Sequence, residues 1–211
     1  MYSRKLRLDI QILRAVAVSL VLWFHAQLPG LAGGFLGVDI FLVISGYLIT
    51  GLIARGIEER RFSITEFYLN RAKRLLPASY TVFLVTGLAG LWLLTESEFQ
   101  RYLDTLLGAV TFTANIVLWQ GTDYFSAEAK HNVLLHTWSL SLEEQFYFLL
   151  PFAMIAVPKR FWFHLAMAGL LLSLLLNFAL VQEKPVAAFY LLPTRAWELL
   201  IGAALALRED R

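Results

Sequence analysis

Seven stretches of this chain are apolar for about the length that a helix needs to cross a bilayer. They cover residues 10–28, 35–54, 75–94, 103–119, 138–157, 161–181 and 189–207. Inside hydrocarbon every backbone N–H and C=O must find its partner within the protein, and runs this long meet that demand only as helices. The expected fold is therefore all-α, a polytopic integral membrane helical bundle of six or seven hydrophobic segments. The count turns on 103–119, the shortest run, which holds Thr111, Thr113 and Asn115. It can span, or it can dip in and return on the same side. The first run is not a signal peptide, because Arg14 and His25 interrupt it and no clean cleavage site follows.

Composition agrees. Hydrophobic residues make up 58% of the 211 and charged ones 16%, against about a quarter charged in an ordinary soluble domain. A disordered chain, a disulfide scaffold and a secreted soluble enzyme are excluded. The net charge is +2, with its basic residues scattered, so nucleic acid is not the expected partner. The absence of cysteine removes a thiolate nucleophile, a Cys-based metal site and redox chemistry, and no metal site is assigned.

Lys and Arg in short loops set orientation. Arg4, Lys5 and Arg7 precede the first run, loop 29–34 has no basic residue, and the next loop carries Arg55, Arg60, Arg61, Arg71, Lys73 and Arg74. The N-terminus is expected in the cytoplasm. Later loops carry less bias: Lys130 and Lys184 face inside if 103–119 spans, and Lys159, Arg160, Arg208 and Arg211 do if it is re-entrant. The second count fits slightly better. Segment 55–74 reads as partly helical and amphipathic, with Ser63 and Glu66 spaced as a capping box. Loop 120–137 is polar and long enough to be functional.

Ionisable groups inside membrane spans are costly and point to function. Here they are Arg14, His25, Asp39, Glu143, Glu144, His164, Arg195 and Glu198. Arg14 and His25 are eleven residues apart, three helical turns plus about 20°, so they share a face about 16 Å apart in depth. That pattern suggests a polar stripe along a water-lined cavity, with the imidazole as a proton acceptor. Snorkelling of Arg14 and an interfacial His25 is the plainer alternative. Arg71 and Arg74, one turn apart, can grip a phosphate with two forked cations, or simply obey the positive-inside rule. Glu143 and Glu144 differ by about 100° around a helix and cannot face one partner. They can also be dipole-favoured charges at a helix start, with Ser139 and Ser141 as caps. Arg195 and Glu198 can pair within one helix, and Pro193 marks a kink or a start. Asp39 can complement a helix dipole or orient His25. His164 is read as interfacial. Gly33, Gly34, Gly37, Gly46 and Gly51 cluster around the second run and are read as close helix packing, not as a phosphate loop.

Certain strings add a resemblance. Arg14-x10-His25, GVDIFLVISGYLIT at 37–50, FYLNRAKRLLPA at 67–78, DYF at 123–125, HTWSLSLEEQFYFLLP at 136–151 and PTRAWELLIGA at 193–203 resemble the membrane acyltransferase family 3. These are the O-acetylases of O-antigen, capsule, exopolysaccharide and peptidoglycan. The order of the strings matches the family across essentially the whole chain. The resemblance implies a catalytic His25 near the outer face, an Arg14 that supports it or the donor, and an Arg71/Arg74 pair meeting the phosphates of cytoplasmic acyl-CoA. It also implies a Thr137, Ser141, Glu143, Phe146, Tyr147 pattern that favours Glu143 over Glu144. Asp39, Ser141, Tyr147, Arg195 and Glu198 are supporting residues. Two departures stand out. Leu42 replaces the second Phe of the family's Phe-Phe-x-x-Ser-Gly motif. The family domain also has about ten spans, so residues 1–211 are expected to be a partial domain lacking its C-terminal spans.

The implied reaction moves an acyl group, acetyl in the first instance, from acyl-CoA to a hydroxyl of an extracytoplasmic glycan or lipid-linked saccharide. His25 acts as general base or transient acyl carrier, and Arg14 or a backbone donor stabilises the oxyanion. The family resemblance implies no permanently bound cofactor. It implies a multi-pass protein of the inner (cytoplasmic) membrane, whose partners are acyl-CoA, the acceptor and the lipid bilayer. A transporter with a proton- or substrate-linked polar path is the rival reading, although no inverted repeat is visible.

Overall fold

The computed structural model describes residues 7–30, 33–121 and 132–209, and every regular element among them is helical. Arg4, Lys5, Lys130, Arg211 and the string at 123–125 lie outside the described residues. The long helices are α1 (Leu8–His25), α2 (Leu36–Glu58) and α3 (Ile64–Leu93), followed by a shorter α4 (Glu96–Val110) and α5 (Ala114–Gly121). Next come α6 (Thr137–Ala156), a 3-10 turn at Lys159–Phe161, α7 (Trp162–Leu180), α8 (Pro185–Tyr190) and α9 (Leu192–Glu209). Five candidate spans are long and apolar enough to cross a membrane: Leu8–His25, Leu36–Glu58, Ile64–Leu93, Lys159–Leu180 and Pro185–Arg208. The protein is thus a multi-pass helical membrane protein. α6 has the length, at 20 residues, but carries Glu143, Glu144 and Gln145 at its middle and is not among the five.

Local rules account for the helix ends. Ser63 caps α3 by accepting from the Glu66 N–H at 3.3 Å, which is the serine half of the capping box its spacing predicted. The amphipathic part of loop 55–74 proves to be the first turns of α3 rather than a separate helix. At 30 residues, α3 is about 45 Å long, so it outruns the hydrocarbon and carries Arg71, Lys73 and Arg74 toward its start. Pro193 marks a start, not a kink: Leu191 is extended (φ −88°, ψ 141°) and separates α8 from α9.

The 103–119 run is not one helix. Phe112 adopts φ +55°, and the Thr113 N–H turns back to the Gly108 carbonyl at 2.7 Å. Gly108 is required there, since a Cβ would sit 2.8 Å from the Ala114 Cα. The corner docks on α6, where Gln145 Nε2 donates to the Phe112 carbonyl at 2.8 Å and the Ala114 N–H donates to Ser141 Oγ at 3.2 Å. Chain direction settles which side it enters from. Lys159, just past α6, pairs with Glu58 at the end of α2. Tyr68 and Arg71 on α3 meet Phe148 and Glu144 on α6 in reverse order. Hence α3 ends at the face of the bundle where α6 begins, and α4 with α5 enters and leaves at that face. The segment is a helical hairpin, the form the re-entrant alternative calls for, with its tip at the level of Ser141–Gln145.

α2 is the central element, packed by α1, α6 and α9 around Leu42, Ile49, Ile53, Phe146 and Leu199. Its glycines let backbones meet. A Cβ on Gly37 would lie 2.4 Å from the Ala17 carbonyl of α1, and one on Gly46 would lie 1.9 Å from the Leu199 carbonyl of α9. Gly202 of α9 answers with the same 1.9 Å clearance to the Val43 carbonyl. The packing role read from the glycine cluster holds for these positions.

Candidate active site

The predicted residues gather at three levels, not along one continuous stripe. The level nearest the basic end, where Glu58 and Lys159 meet, is the most charged. Ser45 of α2 donates to Glu143 Oε1 at 2.7 Å, and Ser45 also bonds the Tyr147 hydroxyl. Arg71 of α3 forms an ion pair with Glu144, and its guanidinium lies 3.8 Å from the Tyr147 ring centroid. The half-buried Arg14 of α1 interacts electrostatically with Glu143. Four helices therefore contribute to one polar cluster. The two glutamates turn to different partners, as their angular separation on the helix requires. Arg71 is mostly occupied, with a quarter of its side chain exposed and Glu144 at 13%. Lys73 and Arg74 are exposed at the rim. The expected phosphate grip by Arg71 and Arg74 together is thus divided: one cation is built into the bundle and the other faces out.

The next level joins α2 to α9. Arg195 pairs with Glu198 on its own helix (Nε–Oε1 2.9 Å), as its spacing predicted, and also with Asp39. Asp39 therefore holds α9; the structure places it against Arg195, not against His25. The Trp138 and Phe189 rings lie 5.4 and 5.3 Å from the guanidinium, and Glu198 is 1% exposed. Ser141 belongs to the support, accepting from Ala114 and donating to the Thr137 carbonyl at 3.1 Å. It is not an N-cap.

The third level is the end of α1 remote from the basic end. His25 is exposed there, and its Nδ1 lies 2.8 Å from the Val21 carbonyl. A carbonyl only accepts, so Nδ1 is the donor in this contact, which in a neutral imidazole leaves Nε2 as the acceptor. Sequence reasoning missed His136, which stands at the N-cap of α6. The residue is exposed at the surface, yet the packing around its ring, and then the charge of the nearby His25, lower its pKa below the ordinary histidine value. Its position inside the string at 136–151 was a signal, but imidazole spacing across two distant helices is invisible in one dimension. Ser45 was missed for a similar reason, since a serine in an apolar run reads as packing.

An all-α membrane bundle with a basic rim, buried carboxylate–guanidinium clusters and an imidazole at the opposite end is the class of protein defined so far. The chain belongs to the acyltransferase domain family, whose model matches residues 7–211, and this places it among transferases. It is 32% identical over 213 residues to the peptidoglycan O-acetyltransferase OatA of Listeria monocytogenes, covering 97% of this chain and 34% of that protein. It is 34% identical over 185 residues to an uncharacterized protein of Haemophilus influenzae, covering 82% of this chain and 75% of that protein. The chain thus spans three quarters of one relative and about a third of the other. No solved structure matches it.

Proposed function

We propose that the protein takes part in O-acyl transfer from cytoplasmic acyl-CoA to a hydroxyl of a glycan or lipid-linked saccharide across the inner membrane, acetyl being the simplest acyl group. The observation that carries this reading is the pair of unlike ends on one bundle. One end bears exposed cations suited to a diphosphate. The other bears an exposed imidazole whose Nδ1 is engaged by the Val21 carbonyl. OatA is named as an O-acetyltransferase of peptidoglycan, and an acceptor of that class agrees with such a layout.

In this scheme the N-terminus and the rim of Arg55, Arg60, Arg61, Lys73 and Arg74 face the cytoplasm, in keeping with the positive-inside rule. Arg74 and Lys73 hold the donor's phosphates, while Arg71, held by Glu144, braces the entrance. Arg14 and Glu143 lie between rim and imidazole and order the path of the acyl-pantetheine arm. His25 Nε2 takes the acceptor's hydroxyl proton as the oxygen attacks the thioester carbonyl. Collapse of the tetrahedral intermediate breaks the carbon–sulfur bond, and the proton passes to the departing thiolate of CoA.

The test is His25→Ala in vesicles, with the amount of inserted protein matched to the parent and CoA release plus acceptor labelling as the readouts. Loss of both is expected. Undiminished labelling would refute the role of His25.

A further inference from the structure

α6 and α7 follow one another in sequence, yet both lean on α9 and leave a slot of about 370 Å³ between them. That volume lies in the usual range for a small-ligand site. Its walls come from Leu150 and Ala153 of α6, Leu165 and Gly169 of α7 and Leu200 of α9, with Thr50 of α2 at the back. The lining extends along α9 from Leu192 to Leu207, about 22 Å at the helical rise, so the slot is a groove parallel to the spans. Trp162 lines it toward the basic end and is fixed by donating to the Met154 and Val157 carbonyls, each at 2.8 Å. Leu149 and Leu165, 55% and 42% exposed, flank a sideways mouth toward lipid.

Two observations say what fills it. First, Thr50 Oγ1 is fully buried in the wall and has no hydrogen-bond partner. Thr81, Thr86, Thr105 and Thr111 each donate to the carbonyl four residues back, at 2.7–2.8 Å, the usual resort of a helical threonine. Thr50 does not, so its hydroxyl is a donor without an acceptor just beneath the slot's apolar lining. Second, Arg55, Lys159, Arg160 and Arg208 stand at the basic ends of the helices that enclose the slot, Arg160 and Arg208 being exposed. We infer that the slot holds one acyl chain of an anionic membrane phospholipid, its ester carbonyl accepting from Thr50 and its phosphate among these cations. The inference does not depend on the proposed transfer reaction.

The full chain is reconstituted in phosphatidylethanolamine vesicles containing phosphatidylglycerol with a diazirine on one acyl chain. Adducts are mapped by peptide mass spectrometry after irradiation. Labelling of Ala153, Gly169 and Leu200 is expected to exceed that of Ile12 and Val16, on the lipid-facing side of α1, several-fold. Ala153→Phe, which fills the slot from its mouth, should bring the ratio to about one. Thr50→Val, which keeps the side-chain volume, should lower it a few-fold while labelling of α1 stays constant. The same diazirine chain on phosphatidylcholine should label the slot less. Uniform labelling, indifference to both substitutions or equal labelling by the two headgroups would overturn the inference. So would a photo-leucine at 153 that crosslinks to protein, from this chain or a second copy, instead of lipid.

Discussion

Arg71 offers the sharpest separation of a structural cation from a ligand-binding one. Its side chain is three quarters covered and paired with a Glu144 that is 13% exposed, and its guanidinium lies 3.8 Å from the Tyr147 ring centroid. Removing one partner of a buried ion pair costs about 3–5 kcal/mol, because the other charge stays desolvated. Partial exposure of Arg71 argues for the low end, about 3 kcal/mol. For a chain of this size that corresponds to a fall in melting temperature of about 6–12 °C. Arg71→Ala should show it in nanodiscs by differential scanning fluorimetry. Removing both charges with Arg71→Met and Glu144→Gln should restore most of the loss, since no stranded carboxylate remains. Arg74→Ala should leave the melting temperature within about 1 °C and raise only the KM for acyl-CoA. If Arg71→Ala melts with the parent, or the double substitution is as unstable as the single, Arg71 is not an internal brace.

Two further outcomes follow from the packing and the imidazoles. Gly202→Leu must push α9 from α2 by about 1.5 Å to relieve a 1.9 Å approach to the Val43 carbonyl; overpacking of this kind costs about 3 kcal/mol or more. Gly33→Ala meets only Leu36 Cδ1, at 3.6 Å, and should be nearly silent in the same melting assay. His136 titrates lower in the folded protein than its ordinary value of 6.5, so the unfolded chain binds the extra proton first. Stability should be full above that value and decline as pH falls through it toward the folded pKa. His136→Gln should flatten this limb of the melting profile.

The hydrophobic runs revealed the helices because the bilayer leaves the backbone no other partner. Boundaries moved little at α1, α2 and α7, where apolar residues and spans coincide. They failed at 103–119, since hydropathy averages over the Thr111–Thr113 corner, which is set by Phe112 in the left-handed region and by Gln145, thirty-three residues later. Within the site, pairs close in sequence were legible and pairs across helices were not. Arg195 with Glu198 follows from i,i+3 geometry, whereas the third member, Asp39, is 156 residues away. The divergence of Glu143 and Glu144 was calculable, but their partners Ser45 and Arg71 depend on how α2 and α3 pack against α6.

α6 explains how a helix that carries two adjacent carboxylates and an amide can sit inside this bundle. Four of its polar side chains are turned to different neighbours: Ser141 to the start of α5, Glu143 to α2, Glu144 to α3, and Gln145 to the α4–α5 corner and Asn115. Left alone in lipid, such a helix would strand two carboxylates and an amide, at several kcal/mol each. Those costs fall only when α2, α3 and the α4–α5 pair are already in place, so the polarity of α6 selects a single arrangement of its neighbours. The same contacts bring Ser45, Arg71 and the α4–α5 corner to one level of the bundle. A helix that lipid alone would reject thereby fixes the geometry around Glu143, and the positions that weaken its case as an independent span are those that make it the centre of the site.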